Sequence, residues 1–323
     1  MAEIDVGLVG AGPWAQLVHG PVLAAGPETH LVGVWARRSD AASELASSLG
    51  VRTFGRYEDI LDACQAIAFA VPPAVQAELA ATAARRGKAL LLEKPIAEDL
   101  DGALRLADAV GEAGVVSQVV LSFRYAAPVR TFLEAAARLD VIGGRGEFIS
   151  GGLLGGPFAT PWRLERGALL DLGPHVIDLL DAALGRVVAV RAHGASLGWV
   201  GLLLEHEDGR VSEASLCATA GIEPQIATAA VFGPAGALSV DCAAAGGPEA
   251  FAVLRREFAA AVASGTGHPL DVQRGLHLQH VIAAAEADLD DAGSRQPLRG
   301  VGVHGRPAQP GVTGGGGKTF PVS

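Results

Sequence analysis

Between residue 4 and about residue 121, short apolar runs alternate with alanine-rich stretches whose apolar positions recur at helical spacing. The runs Ile4–Val9, Leu31–Trp35, Ala66–Val71, Ala89–Leu92 and Val115–Leu121 are rich in β-branched residues and leucine and lack polar alternation. That is the pattern of strands buried on both faces. Ala15–Ala25, Asp40–Leu49, Pro73–Arg86 and Asp99–Gly114 read as the intervening helices, with Ser39 placed to cap the second and Glu98 or Asp99 to favour the start of the fourth. Alternation of strand and helix predicts a doubly wound α/β unit, a parallel sheet between two helical layers.

After a helical stretch near Val129–Leu139 the periodicity changes. Gly144–Ser150, Val187–Gly194, Gly198–Glu207, Arg210–Ala218, Gln225–Phe232 and Leu238–Asp241 read as strands, some joined by short turns such as Glu207-Asp208-Gly209. Hairpin-joined neighbours build a largely antiparallel sheet. A helical stretch, Gly167–Leu184, precedes most of these strands, and Glu249–Ser264 and Asp271–Asp290 follow them. The expected organisation is therefore a doubly wound domain at 1–122, an α+β domain at 123–299 and a glycine- and proline-rich tail at 300–323 with no apolar period, expected to be disordered. An open apolar face on the second sheet would be buried between subunits, which predicts a homodimer or homotetramer.

Composition narrows the function classes. Half of the 323 residues are hydrophobic, yet no apolar run reaches the roughly 18 to 20 residues of a membrane-spanning helix. The opening Met-Ala-Glu-Ile-Asp enters a strand without the basic start, apolar middle and cleavage site of a secretory leader. A soluble, cytoplasmic protein with no membrane partner is expected. A net charge of −10 without clustered basic residues argues against a nucleic-acid partner. Cys64, Cys217 and Cys242 stand far apart, and His193, His206, His268, His277 and His280 form no ligand set, so neither a disulfide framework nor a metal is expected. Gly314–Thr319 ends in Gly-Lys-Thr like a phosphate-binding loop, but Val312 stands where that motif needs its first glycine and no strand or helix pattern flanks it.

The first strand runs directly into Gly10-Ala11-Gly12-Pro13-Trp14-Ala15 and a helix. Gly10 permits the tight turn, Gly12 lets the backbone approach a pyrophosphate, and Ala15 replaces the third glycine where helix packs on strand, the logic of a Rossmann dinucleotide site. The second strand ends in Ala36-Arg37-Arg38-Ser39. With two guanidiniums and a hydroxyl there instead of a carboxylate, NADP is favoured over NAD, while Asp40 keeps NAD open. Val71 and Pro72 after the third strand, and Glu93 and Lys94 after the fourth, complete the expected cofactor wall.

Two further segments suggest chemistry. Glu93-Lys94-Pro95 follows strand Ala89–Leu92 at the carboxyl edge of the sheet, where ligands of open α/β folds bind. In Gly167-Ala-Leu-Leu-Asp171-Leu-Gly-Pro-His175-Val-Ile-Asp178, helical spacing puts Asp171 and His175 on one face and Asp178 one turn further. Asp178 reads as a structural pair at the domain junction. Pro174 removes a helix amide and predicts a bend there.

Together with the glycine turn, these segments resemble the glucose-fructose oxidoreductase, inositol dehydrogenase and rhizopine-catabolism family, Gfo/Idh/MocA, over residues 3 to 298. Phe123-Arg124-Tyr125 and Phe258 with His268-Pro269-Leu270 look like further landmarks. The resemblance implies an NAD(P)-dependent oxidoreductase whose Lys94, Asp171 and His175 contact a polyhydroxylated small molecule, a sugar, cyclitol or related compound, beside the nicotinamide. A carbon exchanging hydride with nicotinamide C4 needs a proton partner on its oxygen. His175 is the expected general acid/base, Lys94 the hydrogen-bonder of the same oxygen and Asp171 the orienting group, with the roles of Lys94 and His175 open to exchange. Arg124, Trp162 and Arg163 are the remaining expected substrate contacts. The lead into the aspartate segment, Glu165-Arg166-Gly167, has fewer glycines than the family pattern, which leaves the shape of that loop open. A glycosidase of the same fold that oxidises its sugar transiently and a non-catalytic nucleotide-binding sensor remain as alternatives.

Overall fold

The computed structural model describes residues 3–243 and 247–291. The expected tail at 300–323 and the Gly-Lys-Thr segment lie outside the described residues. The first sheet is wholly parallel and comprises β1 (Ile4–Val9), β2 (Thr29–Trp35), β3 (Arg52–Thr53), β4 (Ala66–Phe69), β5 (Ala89–Leu92) and β6 (Ser117–Val119) in the order β3-β2-β1-β4-β5-β6. Every side chain of β4 and β5 is buried, as their uninterrupted apolar sequence requires. A π-helical turn at Ala15–His19 leads into α1 (Gly20–Ala24). The other helices of this half are α2 (Ser39–Leu49), α3 (Tyr57–Asp62), α4 (Pro73–Arg85) and α5 (Leu100–Ala113).

Local sequence accounts for several helix ends. Asp99 caps α5, its Oδ1 accepting from the Gly102 amide at 2.7 Å. Ser39 does not cap α2: it is the first helical residue, Arg38 holds the cap position, and no side chain bonds there. Neither the two-residue β3 nor the six-residue α3 is long enough to display a period.

The second sheet follows a 3-10 turn at Ser122–Tyr125 and α6 (Ala127–Ala136). It comprises β7 (Gly143–Ile149), β8 (Val187–Gly194), β9 (Trp199–His206), β10 (Val211–Cys217), β11 (Ile226–Gly233) and β12 (Gly236–Asp241), in the order β12-β11-β7-β10-β9-β8. Its pairs are antiparallel except β7 with β10. Against one face lies α7 (Pro161–Leu184), buried continuously from Gly167 to Asp181 between this sheet and the rest of the molecule. The opposite face is open and mixed: Trp199, Leu203, Val211, Ile226 and Phe232 stand exposed on it among polar and charged side chains. Register aligns Arg191, Leu203, Glu213, Arg145, Ala230 and Ser239 in one row across it, and His193, Gly201, Ser215, Glu147, Thr228 and Asp241 in the next.

The last two helices, α8 (Pro248–Ser264) and α9 (Val272–Asp290), return to the first sheet's side. Arg255 of α8 pairs with Glu28 at 2.9 Å, and the Val272 amide at the start of α9 donates to Ser117 Oγ of β6 at 3.1 Å. Packing thus crosses the sequence boundary near residue 122, and the groove at the carboxyl ends of β1, β2, β4 and β5 receives side chains from both halves.

Candidate functional site

Two adjoining cavities occupy that groove. One, of about 400 Å³, is bordered by Gly10, Ala11, Gly12, Ala36, Arg37 and Arg38. The other, of about 510 Å³, is bordered by Pro13, Trp14, Glu93, Lys94, Trp162 and Arg163. Gly12, Arg37, Val71 and Pro72 face both. Gly10 has φ 120°, and a Cβ there would lie 2.2 Å from the Ala70 carbonyl oxygen, so the turn admits only glycine. A Cβ at Gly12 would meet no atom within 4 Å, which leaves its backbone open to the groove. This groove, with glycine backbone and two arginines on its wall, has the lining a dinucleotide needs.

Arg37 and Arg38 are exposed, and neither has a carboxylate within 4.0 Å among the described residues. Ser39 is absent from both cavity walls. Trp14 packs edge-on to Phe158, ring centroids 5.5 Å apart, and donates its indole N–H to Glu93 Oε1 at 2.5 Å. Buried His19 reaches the same oxygen at 2.7 Å. Glu93 therefore ties the glycine-turn helix to the loop that carries Lys94.

Lys94 Nζ donates to both the Asp171 carbonyl (2.8 Å) and its Oδ1 (3.0 Å), while Arg163 Nε donates to that same Oδ1 at 3.1 Å. The arrangement depends on a break at Gly167, not at Pro174. Gly167 has φ 72° and ψ −161°, inside an otherwise continuous α7, and a Cβ would stand 2.0 Å from the Ser196 carbonyl oxygen. This swings the leading turn, with Trp162 and Arg163, over the cavity while Asp171 stays on the buried main helix. Pro174 causes no comparable departure from helical geometry. Burial pushes the Asp171 carboxyl up, but the Lys94 and Arg163 charges outweigh it and hold the group at about 2.

His175 lies off the cavity wall, packed on Phe123 (centroids 4.8 Å apart) and Phe148 (6.1 Å), with Nδ1 buried and unbonded. Burial, reinforced by the Lys94 charge and opposed by Asp171, lowers its pKa well below the ordinary histidine range. It is neutral at pH 7. In acid the unfolded chain takes up a proton at this histidine that the folded chain refuses, so stability falls as pH drops below about 6.5, by at most about 1.4 kcal/mol per pH unit from this one group. Urea unfolding at pH 7 and pH 5 is expected to show a smaller acid loss for His175→Phe than for wild type. Equal losses would rule out a buried neutral imidazole.

Arg124 is placed elsewhere. Its guanidinium bonds both oxygens of Asp178 (3.1 and 3.0 Å) and borders a separate cavity beside His268. Asp178 also takes Arg274 Nε at 2.7 Å, and Arg274 and His277 both pair with Asp181. The network joins the far end of α7 to α9 and the 3-10 turn, the structural role expected of Asp178. His19, Phe158, Arg274 and His277 carry no local sequence signal. Neither does Gln76, whose buried amide binds the backbone around Lys94. Among the described residues no group of three or more His, Cys, Asp or Glu is placed to hold a metal ion, and no helix is long and apolar enough to cross a membrane.

Residues 4–121 match the family described as "Oxidoreductase family, NAD-binding Rossmann fold". The levoglucosan dehydrogenase of Pseudarthrobacter phenanthrenivorans is 27% identical over 212 residues, 59% of this chain and 54% of that protein. A dTDP-3,4-didehydro-2,6-dideoxy-alpha-D-glucose 3-reductase of Streptomyces violaceoruber is 29% identical over 203 residues, 58% of this chain and 56% of that protein. The chain thus spans about half the length of the curated relatives it matches. The fold extends further: the structure of GenD2 from gentamicin A biosynthesis in complex with NAD superposes with TM-score 0.80 at 24% identity, covering 90% of this chain and 95% of that one. Levoglucosan dehydrogenase in complex with NADH and L-sorbose superposes with TM-score 0.81 at 19% identity, covering 91% and 98%.

Proposed function

We propose that the chain is a member of the Gfo/Idh/MocA oxidoreductases, as its match to the NAD-binding Rossmann family over residues 4–121 supports, and that it transfers a hydride between NADP, in preference to NAD, and a hydroxyl or carbonyl carbon of a sugar, cyclitol or related small molecule. The observation that carries the reading is Lys94: it borders the cavity continuous with the glycine-turn groove and is oriented by a buried carboxylate. A bound nicotinamide supplies or accepts the hydride at C4. The protein's own part is positional and electrostatic. Gly10 and Gly12 keep the groove clear for the dinucleotide, and Arg37 and Arg38 stand ready for a 2′-phosphate. Lys94 offers its N–H groups to the reacting oxygen and stabilises negative charge developing there. Asp171 fixes the direction of that ammonium, and Trp162 and Arg163 form the wall over it. We place Lys94 and not His175 at the reacting oxygen on position alone: Lys94 borders the cavity, whereas His175 packs behind its wall on Phe123.

NADPH and NADH consumption followed at 340 nm against a panel of keto-sugars and aldehydes tests the reading. Net consumption with at least one carbonyl compound is expected. Glycoside cleavage without net consumption would replace it with the glycosidase alternative. In the same assay Arg37→Ala is expected to weaken NADPH binding about 10- to 100-fold, the worth of a charge-assisted contact, and NADH binding less than about threefold. Equal effects on the two cofactors would remove Arg37 from the 2′-phosphate.

A further inference from the structure

We propose that Gln76 is a positioning residue that holds the Glu93-Lys94-Pro95 turn in the shape that aims Lys94. β5 ends at Leu92, so the polar backbone groups just beyond it have left the strand ladder and need other partners. One side chain supplies four of them. Gln76 Oε1 accepts from the Glu93 amide at 2.8 Å, and Nε2 donates to the carbonyls of Glu93 (2.7 Å), Ile96 (3.2 Å) and Pro95 (3.3 Å). The bonds fall on both sides of Lys94, so the backbone that carries its side chain is fixed before and after it. Gln76 is itself fully buried, and the other buried positions of α4 are alanine and proline. An amide at such a position satisfies this turn and nothing else. Its place on the first turn of α4 also ties the lysine loop to Pro72 and Pro73, which border the same cavity.

Lys94 is one of three lysines in the chain, with Lys88 and Lys318, so its reactivity can be read individually. Acylation of the full chain by an N-hydroxysuccinimide ester, followed by peptide mass spectrometry, is expected to proceed about tenfold faster at Lys94 in Gln76→Met than in wild type. Lys88 is expected to keep its rate, and Gln76→His, which retains one donor and one acceptor, to stay within about twofold of wild type at Lys94. An unchanged Lys94 rate in Gln76→Met would overturn the proposal. If Lys88 accelerates in parallel, Gln76→Met has unfolded and Gln76→Glu decides instead: it keeps the acceptor and loses the donors, and an unchanged Lys94 rate there overturns the proposal equally.

The kinetic readout rests on the proposed hydride transfer. With a carbonyl compound that wild type reduces, Gln76→Met is expected to lower kcat about 100-fold while the KM for NADPH stays within about threefold, as for a displaced reacting group beside an intact cofactor site. A wild type inactive on every carbonyl compound would sink the proposed reaction and leave the labelling result standing.

Discussion

On the proposed reaction, Lys94→Ala is expected to lower kcat by about 10³-fold, with NADPH affinity within about threefold of wild type, because it removes the one ammonium among the described residues that borders the cavity. The size of the effect follows from what surrounds the lysine. Its Nζ is bonded to the Asp171 carbonyl and carboxylate, so its direction is set before any substrate arrives. Such preorganisation makes a donor worth more than the same group in water. Lys94→Arg is expected to stay within about tenfold of the alanine variant: a planar fork cannot place a compact charge on both acceptors of Asp171 and still face the cavity. Single-turnover rates with NADPH and a carbonyl substrate measure the chemical step directly. Retention of more than about a tenth of wild-type kcat by Lys94→Ala would take Lys94 off the reacting oxygen.

How much of this site can be read in advance depends on how far apart its parts lie along the chain. The glycine turn, Glu93-Lys94-Pro95 and the Asp171–His175 helix are short contiguous runs, each marked by a strand or helix pattern beside it. Pairing across the fold leaves no such mark. Gln76 acts on residues 93–96, His19 on Glu93, and Arg274 and His277 on Asp181, and in each case both partners are ordinary surface-compatible residues until the chain folds. Arg124 shows the converse. Its motif is legible, but its guanidinium pairs with Asp178 and borders a cavity apart from the one that Lys94 lines.

The same contrast holds for the fold. Strand β5 falls where its apolar run begins and ends, because burial on both faces leaves no polar residue to blur the limits; β1 keeps its expected limits although Asp5 interrupts its apolar run. The bend in α7 falls at Gly167 and not at Pro174, because a left-handed residue in contact with Ser196 redirects the chain, whereas a proline in a buried helix loses only one bond. The open face of the second sheet alternates Arg145, Glu147, Glu205 and Glu213 with apolar inward residues. Those charges are visible in the sequence, but only register shows that they share one face.

Asp171→Ala is expected to be the most destabilising single change at the site, by about 3–5 kcal/mol, because it leaves two cations without their shared anion. The side chains concerned are nearly buried, at 12% exposure for Asp171, 11% for Lys94 and 16% for Arg163, so solvent screens little of the repulsion. An apparent melting temperature about 5–10 °C below wild type is the corresponding shift. The carboxylate's stabilising effect belongs to the whole neutral range: held at about 2 against an ordinary 3.8, the group contributes fully above about pH 4 and loses its contribution progressively as pH falls from there through about 2. The cause can be separated from the loss of a side chain. Arg163→Leu removes one of the two cations and leaves Lys94 with Asp171 as a neutral pair, so it should cost less. In the double variant the remaining Lys94 no longer faces a second buried charge, and its melting point is expected to lie above that of Asp171→Ala alone, a coupling of about 0.5–3 kcal/mol. Additive losses in that cycle would mean that Asp171 is not the counter-ion of the pair. A recovered melting point with turnover still lost would assign the carboxylate its second role, the aiming of Lys94.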